Sequence, residues 1–130
     1  MTYLTIREKG YLNMNVIAHS WGTVLASNIS HWVPEPYSLL VTMGSPLWNG
    51  YTSANTNRWV NIYDVDDVVI YLGVVGSIGF ANALFDASPD KHIVQIDVDN
   101  GEYLEAHTGY WTNLDVIRAI VSELYKQYRN

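Results

Sequence analysis

Short apolar runs alternate with amphipathic stretches along this chain, the arrangement expected of buried strands connected by helices. Met14 to His19, Ser38 to Met43, Trp59 to Asp64 and His92 to Asp97 read as four strands. Thr2 to Lys9 reads as the end of a helix closed by Gly10. Val24, Leu25, Ile29 and Trp32 recur at helical spacing before Pro34 and Pro36 stop that helix. Leu114, Ile117, Ile120, Val121, Leu124 and Tyr128 mark one face of a closing helix. The alternation predicts an α/β fold with a mostly parallel sheet of about four strands and flanking helices. No internal repeat or linker divides residues 1–130, which read as a single domain.

The junction between the first strand and the first helix carries the sharpest chemical signal. In Ala18-His19-Ser20-Trp21-Gly22 a serine lies between small residues two positions away on either side. This pattern suits a nucleophile elbow, a strained turn that lifts the serine hydroxyl into solvent and in which larger flanking side chains would collide. The following helix would direct its positive end toward an anion formed at that hydroxyl, and the amide of Trp21 would be one donor of an oxyanion hole.

A general base and an orienting acid follow in the order serine, acid, histidine. His107 lies in Glu105-Ala106-His107-Thr108-Gly109-Tyr110-Trp111, read as a loop between the last strand and the last helix. A histidine there can take the serine proton and return it to a leaving group. His19 adjoins Ser20 but is expected to point away from its hydroxyl, His31 ends a helix, and His92 precedes a strand. Asp64, Asp66 and Asp67 cluster at the end of the third strand, and spacing alone does not choose among them. Whichever serves, the other two are expected to cap the strand exit and face water. His19, Trp48 and Trp111 are candidates for the substrate pocket, with packing as the alternative role of the tryptophans.

The Ala-His-Ser-x-Gly elbow, Gly44-Ser45-Pro46, the Asp-x-Val segment and the late His107-x-x-Tyr110-Trp111 together resemble the α/β-hydrolase superfamily, especially its lipase-like serine esterases. The resemblance covers nearly the whole chain and implies a Ser20, Asp67, His107 triad. The acid of the Asp-x-Val segment carries over best to Asp67 with Val69, next to Asp66 with Val68, and last to Asp64. It also implies earlier strands and a His-Gly type loop supplying a second oxyanion amide, which the chain lacks at its amino end. The expectation is therefore a carboxyl-terminal portion of such a domain, cut from a longer gene, completed by a partner chain, or decayed. The activity implied is cleavage of carboxylic esters through an acyl-enzyme on Ser20. An acyltransferase or thioesterase using the same residues is one alternative, and an impaired or partner-completed subunit is another.

Composition narrows the partners. Seven Lys and Arg against thirteen Asp and Glu, a net charge of −6, disfavour nucleic acid and anionic membranes. The chain has no cysteine, excluding disulfides and thiolate chemistry. No cofactor or metal is expected. Asp97-Val98-Asp99-Asn100-Gly101-Glu102 places its glycine one position early for a calcium loop and reads as a polar turn. Val68 to Phe85 is nearly all apolar, but its three glycines and acidic flank favour a lid or acyl-site wall, or a packed crossover helix, over a membrane span. Its apolar character points to lipid or acyl esters as substrates. Met1 to Lys9 lacks the pattern of a signal peptide, giving a cytoplasmic expectation.

Overall fold

The computed structural model describes residues 14–46, 54–71 and 93–129. Four strands, β1 (Asn15–His19), β2 (Leu39–Met43), β3 (Trp59–Tyr63) and β4 (Ile93–Asp97), form one sheet in the order β1-β2-β3-β4, with every pair parallel. Helix α1 (Trp21–Ser30) follows β1, and the short α2 (Leu104–Thr108) leads through a 3₁₀ turn into α3 (Leu114–Arg129). The expected α/β class and all four strands are therefore present. The anticipated helix at Thr2 to Lys9 and most of Val68 to Phe85 lie outside the described residues. Of the latter, Val68–Tyr71 form a 3₁₀ turn. No helix among the described residues is long and apolar enough to cross a membrane.

Strand alternation divides the core into two layers. Leu39, Val41, Met43, Val60 and Ile62 project to one face, where they meet Tyr110 and Val116. Leu40, Ala18, Trp59 and Ile93 project to the other, where they meet Ala26 and Tyr37. This second face also holds a hydrogen-bonded ladder. Trp59 Nε1 donates to Thr42 Oγ1 (2.9 Å), Thr42 donates to Asn61 Oδ1 (2.7 Å), and Asn61 Nδ2 donates to Gln95 Oε1 (2.8 Å). The ladder crosses β2, β3 and β4, so it holds their register as well as their separation.

Both long helices orient differently from their simplest hydrophobic reading. In α1 the buried residues are Thr23, Ala26, Ser27 and Ser30, whereas Leu25 and Ile29 are exposed. Small side chains let the helix lie close to the sheet, and their hydroxyls have partners. Ser30 donates to Ser27 O (2.6 Å) and accepts from the Asn55 amide (2.8 Å). Trp32 lies beyond the helix end and is exposed. In α3 the predicted single face divides. Ile120 and Leu124 pack on the core together with Val116 and Ala119, while Leu114, Ile117, Val121 and Tyr128 are exposed.

The α3 residue Glu123 is buried beneath a forked pair with Arg58, whose Nε and Nη2 donate at 2.7 and 2.9 Å, and Lys126 adds a third donor at 3.2 Å. The Arg58 hydrogen bonds hold the Glu123 carboxyl below its ordinary range, against the opposing effect of burial. A depressed carboxyl stabilises the fold above its unfolded-state value and loses that contribution as pH falls through the folded-state value. Glu123→Gln should therefore cost roughly 1 kcal/mol near neutrality, allowing for the partial exposure of Arg58. The gap from wild type in urea unfolding should close as pH falls below the ordinary 4.5; a pH-independent gap would rule the pairing out as its cause.

Candidate active site

Ser20 occupies the turn between β1 and α1 with φ 57° and ψ −132°, outside the conformations a serine ordinarily adopts. Such strain persists only when neighbours over-determine it. Here the Ser20 amide donates to Met43 O (2.9 Å), tying the turn to the end of β2. The Thr23 amide donates to Ser20 O (3.0 Å), and the Thr23 hydroxyl reaches the same carbonyl (2.6 Å). With its hydrogen committed there, Thr23 Oγ1 accepts from Ser45 Oγ at 2.6 Å. The Gly44-Ser45-Pro46 loop thus braces the elbow from the neighbouring strand. The Trp21 amide lies in the first turn of α1, where no intrahelical acceptor precedes it.

His107 bridges the serine and one aspartate. Its Nε2 lies 2.9 Å from Ser20 Oγ and its Nδ1 2.9 Å from Asp67 Oδ2. An ionised carboxylate can only accept, so Nδ1 carries the hydrogen and, in the neutral ring, Nε2 presents its lone pair to the serine hydroxyl. The Asp67 side chain has no exposure and that of His107 has 17%. Asp67 Oδ1 accepts from the Val69 amide (2.9 Å), and Oδ2 accepts from Tyr110 as well as His107, the tyrosine at 2.8 Å. Burial, and then the hydrogen bond to Asp67, raise the Tyr110 phenol well above its ordinary value, keeping it a donor.

The three acids separate by environment. Asp67 meets His107, whereas Asp66 is exposed. Asp64 is 2% exposed, which corrects the expectation that both remaining acids face water. Its Oδ1 accepts from the Asp66 amide (2.9 Å) and its Oδ2 from the Asn100 amide (2.7 Å), joining the loops after β3 and β4. Its own amide donates to Tyr110 Oη at 3.0 Å.

His107 also differs from its predicted setting, since it stands on α2 rather than in an open loop. The helix begins after Tyr103, a second strained residue at φ 56°. His19 turns to this helix. Its ring stacks on that of His107 with centroids 4.8 Å apart, and its Nε2 donates to His107 O at 2.8 Å. Trp111 meets the His19 ring edge-on at 5.8 Å. Trp111 and Trp21 remain exposed, at 55% and 60%, so neither is packed in the core. Trp48 and His92 lie outside the described residues.

A cavity of about 600 Å³ lined by Asp64, Asp66, Asp97, Asp99 and Asp115 contains neither Ser20 nor His107. Among the described residues, no group of three or more metal-ligating side chains is placed to hold an ion. Asp99 instead closes a polar turn, accepting from the Gly101 amide at 3.0 Å.

The sequence does not disclose the role of Thr23, and although Ser45 belongs to the Gly44-Ser45-Pro46 motif, its bond to Thr23 and the bonding of Tyr110 are visible only in the structure. Tyr110 stood in the His-x-x-Tyr-Trp pattern, but nothing in the spacing gave its contact. Gly44 has a positive φ of 54°, and a Cβ there would lie 2.7 Å from Asp67 Oδ2 and from Tyr110 Cε2, and 3.3 Å from His107 Nδ1. Gly44→Ala should lower stability by roughly 1–3 kcal/mol through strain and displacement of these groups. An unchanged urea midpoint would show that the loop can move aside.

No protein-family model, curated protein or solved structure matched the chain.

Proposed function

We propose that this chain is a serine hydrolase of α/β-hydrolase type that cleaves carboxylic esters through an acyl-enzyme on Ser20. The observation that carries this reading is the continuous path from the Ser20 hydroxyl through His107 to the buried Asp67, at 2.9 Å for each step. The two ring nitrogens of His107 link a serine in a strained conformation to a carboxylate without water access.

As Oγ attacks the ester carbonyl, its proton passes to His107 Nε2, and Asp67 stabilises the resulting imidazolium through Nδ1. The tetrahedral oxyanion is met by the Trp21 amide and the positive end of α1. Collapse expels the alcohol, which leaves with the proton from Nε2, and Ser20 retains the acyl group. A water then gives a proton to Nε2 and attacks the acyl carbonyl; the proton returns to Oγ as the carboxylic acid departs. Stabilisation by one oxyanion donor is worth about 10²–10³ in turnover, so the Trp21 amide contributes a substantial part of the rate.

A fluorophosphonate probe should label the wild-type chain and fail to label Ser20→Ala. Equal labelling, or none of the wild type, would overturn the reading. The exposed Trp21 and Trp111 beside the elbow support esters with an apolar acyl group. Trp111→Ala should raise KM severalfold for long-chain p-nitrophenyl esters and little for the acetate, consistent with lost apolar contact area; equal effects on both would count against acyl contact.

A further inference from the structure

We propose that Tyr110 is a positioning residue that tunes the basicity of His107 by sharing the carboxylate oxygen to which His107 is bonded. The inference deepens the hydrolase reading and rests on it for its catalytic meaning.

Asp67 Oδ2 is the shared acceptor. His107 Nδ1 approaches it at 2.9 Å and Tyr110 Oη at 2.8 Å, while Oδ1 is occupied by the Val69 amide. Gly44 closes another side of Oδ2, since even a methyl group there would stand 2.7 Å from it. Tyr110 is itself fully buried. Its phenol is oriented from behind by the Asp64 amide, which donates to Oη and so directs the phenolic hydrogen toward Asp67. The phenol thus spends its one hydrogen on the oxygen that also faces His107.

The electrostatic consequence follows from the sharing. A second donor on Oδ2 withdraws negative charge from the oxygen facing Nδ1, so the carboxylate stabilises the imidazolium less than it would alone. Tyr110 thereby keeps more of His107 in the free-base form at a given pH, while still holding the carboxylate at the required distance. The other groups facing the ring are Ser20, at Nε2, and His19, stacked upon it. Asp64 lies behind Tyr110 and is bonded to the Asp66 and Asn100 amides. Their contacts do not involve Oδ2.

Removing the phenolic hydroxyl should therefore make His107 easier to protonate. The His107 ring resonances, assigned by their loss in His107→Asn, would be titrated by NMR in wild type and Tyr110→Phe. The midpoint should move upward by about half a pH unit, roughly a threefold change in the protonation equilibrium. The acidic limb of fluorophosphonate labelling at Ser20 should move with it. An unchanged or lowered midpoint overturns the proposal. A merely structural tyrosine would reduce stability without this directed shift. In an Asp67→Asn background, Tyr110→Phe should produce no further upward shift; persistence of the shift would overturn transmission through Asp67. Because the titration does not require activity, absence of wild-type labelling would defeat the hydrolase reading while the midpoint still decides the electrostatic one. Should Tyr110→Phe fail to fold, global 3-fluorotyrosine incorporation, which strengthens the phenol as a donor, should move the midpoint down; an upward or absent shift would overturn the proposal.

Discussion

Asp67 is a carboxylate sealed from water, and a buried charge of this kind is tolerable only when its oxygens are supplied with donors. Those donors come from separate parts of the chain: the Val69 amide from the 3₁₀ turn, His107 from α2, and Tyr110 from the turn that follows. Each must arrive together with the backbone that carries it. The desolvation requirement of one side chain thus fixes the loops after β3 and β4 against each other. Asp64 reinforces that junction from its own buried position, binding the Asn100 amide across the same gap.

The serine reaches this assembly from the opposite edge of the sheet. Met43 O holds the Ser20 amide, Ser45 supports Thr23, and His19 binds the carbonyl of His107. These contacts link β1, β2 and α2 through backbone and flanking groups rather than through the Ser20 hydroxyl or the His107 ring nitrogens. The backbone of His107 is held by His19, the residue immediately before Ser20, while the His107 ring bonds to Ser20 and Asp67.

The strands were legible because parallel neighbours buried on both faces demand nearly continuous apolar runs, as in Leu39 to Met43. The elbow was legible because Ala18 and Gly22 flank a serine at a strand-to-helix boundary. Apolar spacing on the helices was less informative about facing. In α1, hydroxyl-bearing residues turn inward because they can bond one another and the loops, an advantage that a hydrophobicity pattern does not encode. Among the three aspartates, local spacing left the choice open; their separation depends on β4 and α2, thirty or more residues away. The same long range hid Tyr110 and the gap that only Gly44 can occupy.

The polar ladder from Trp59 through Thr42 and Asn61 to Gln95 gives the sheet a form of error detection. A strand displaced by one residue moves about 3.3 Å and turns its side chains to the other face. Such a slip would leave the ladder's amides and hydroxyls among apolar groups and would carry the loop of Asp67 away from His107. Misaligned chains would thus be unstable and would lack the contacts that join Ser20, His107 and Asp67, so the alignment of β2, β3 and β4 is registered in the surroundings of a single hydroxyl.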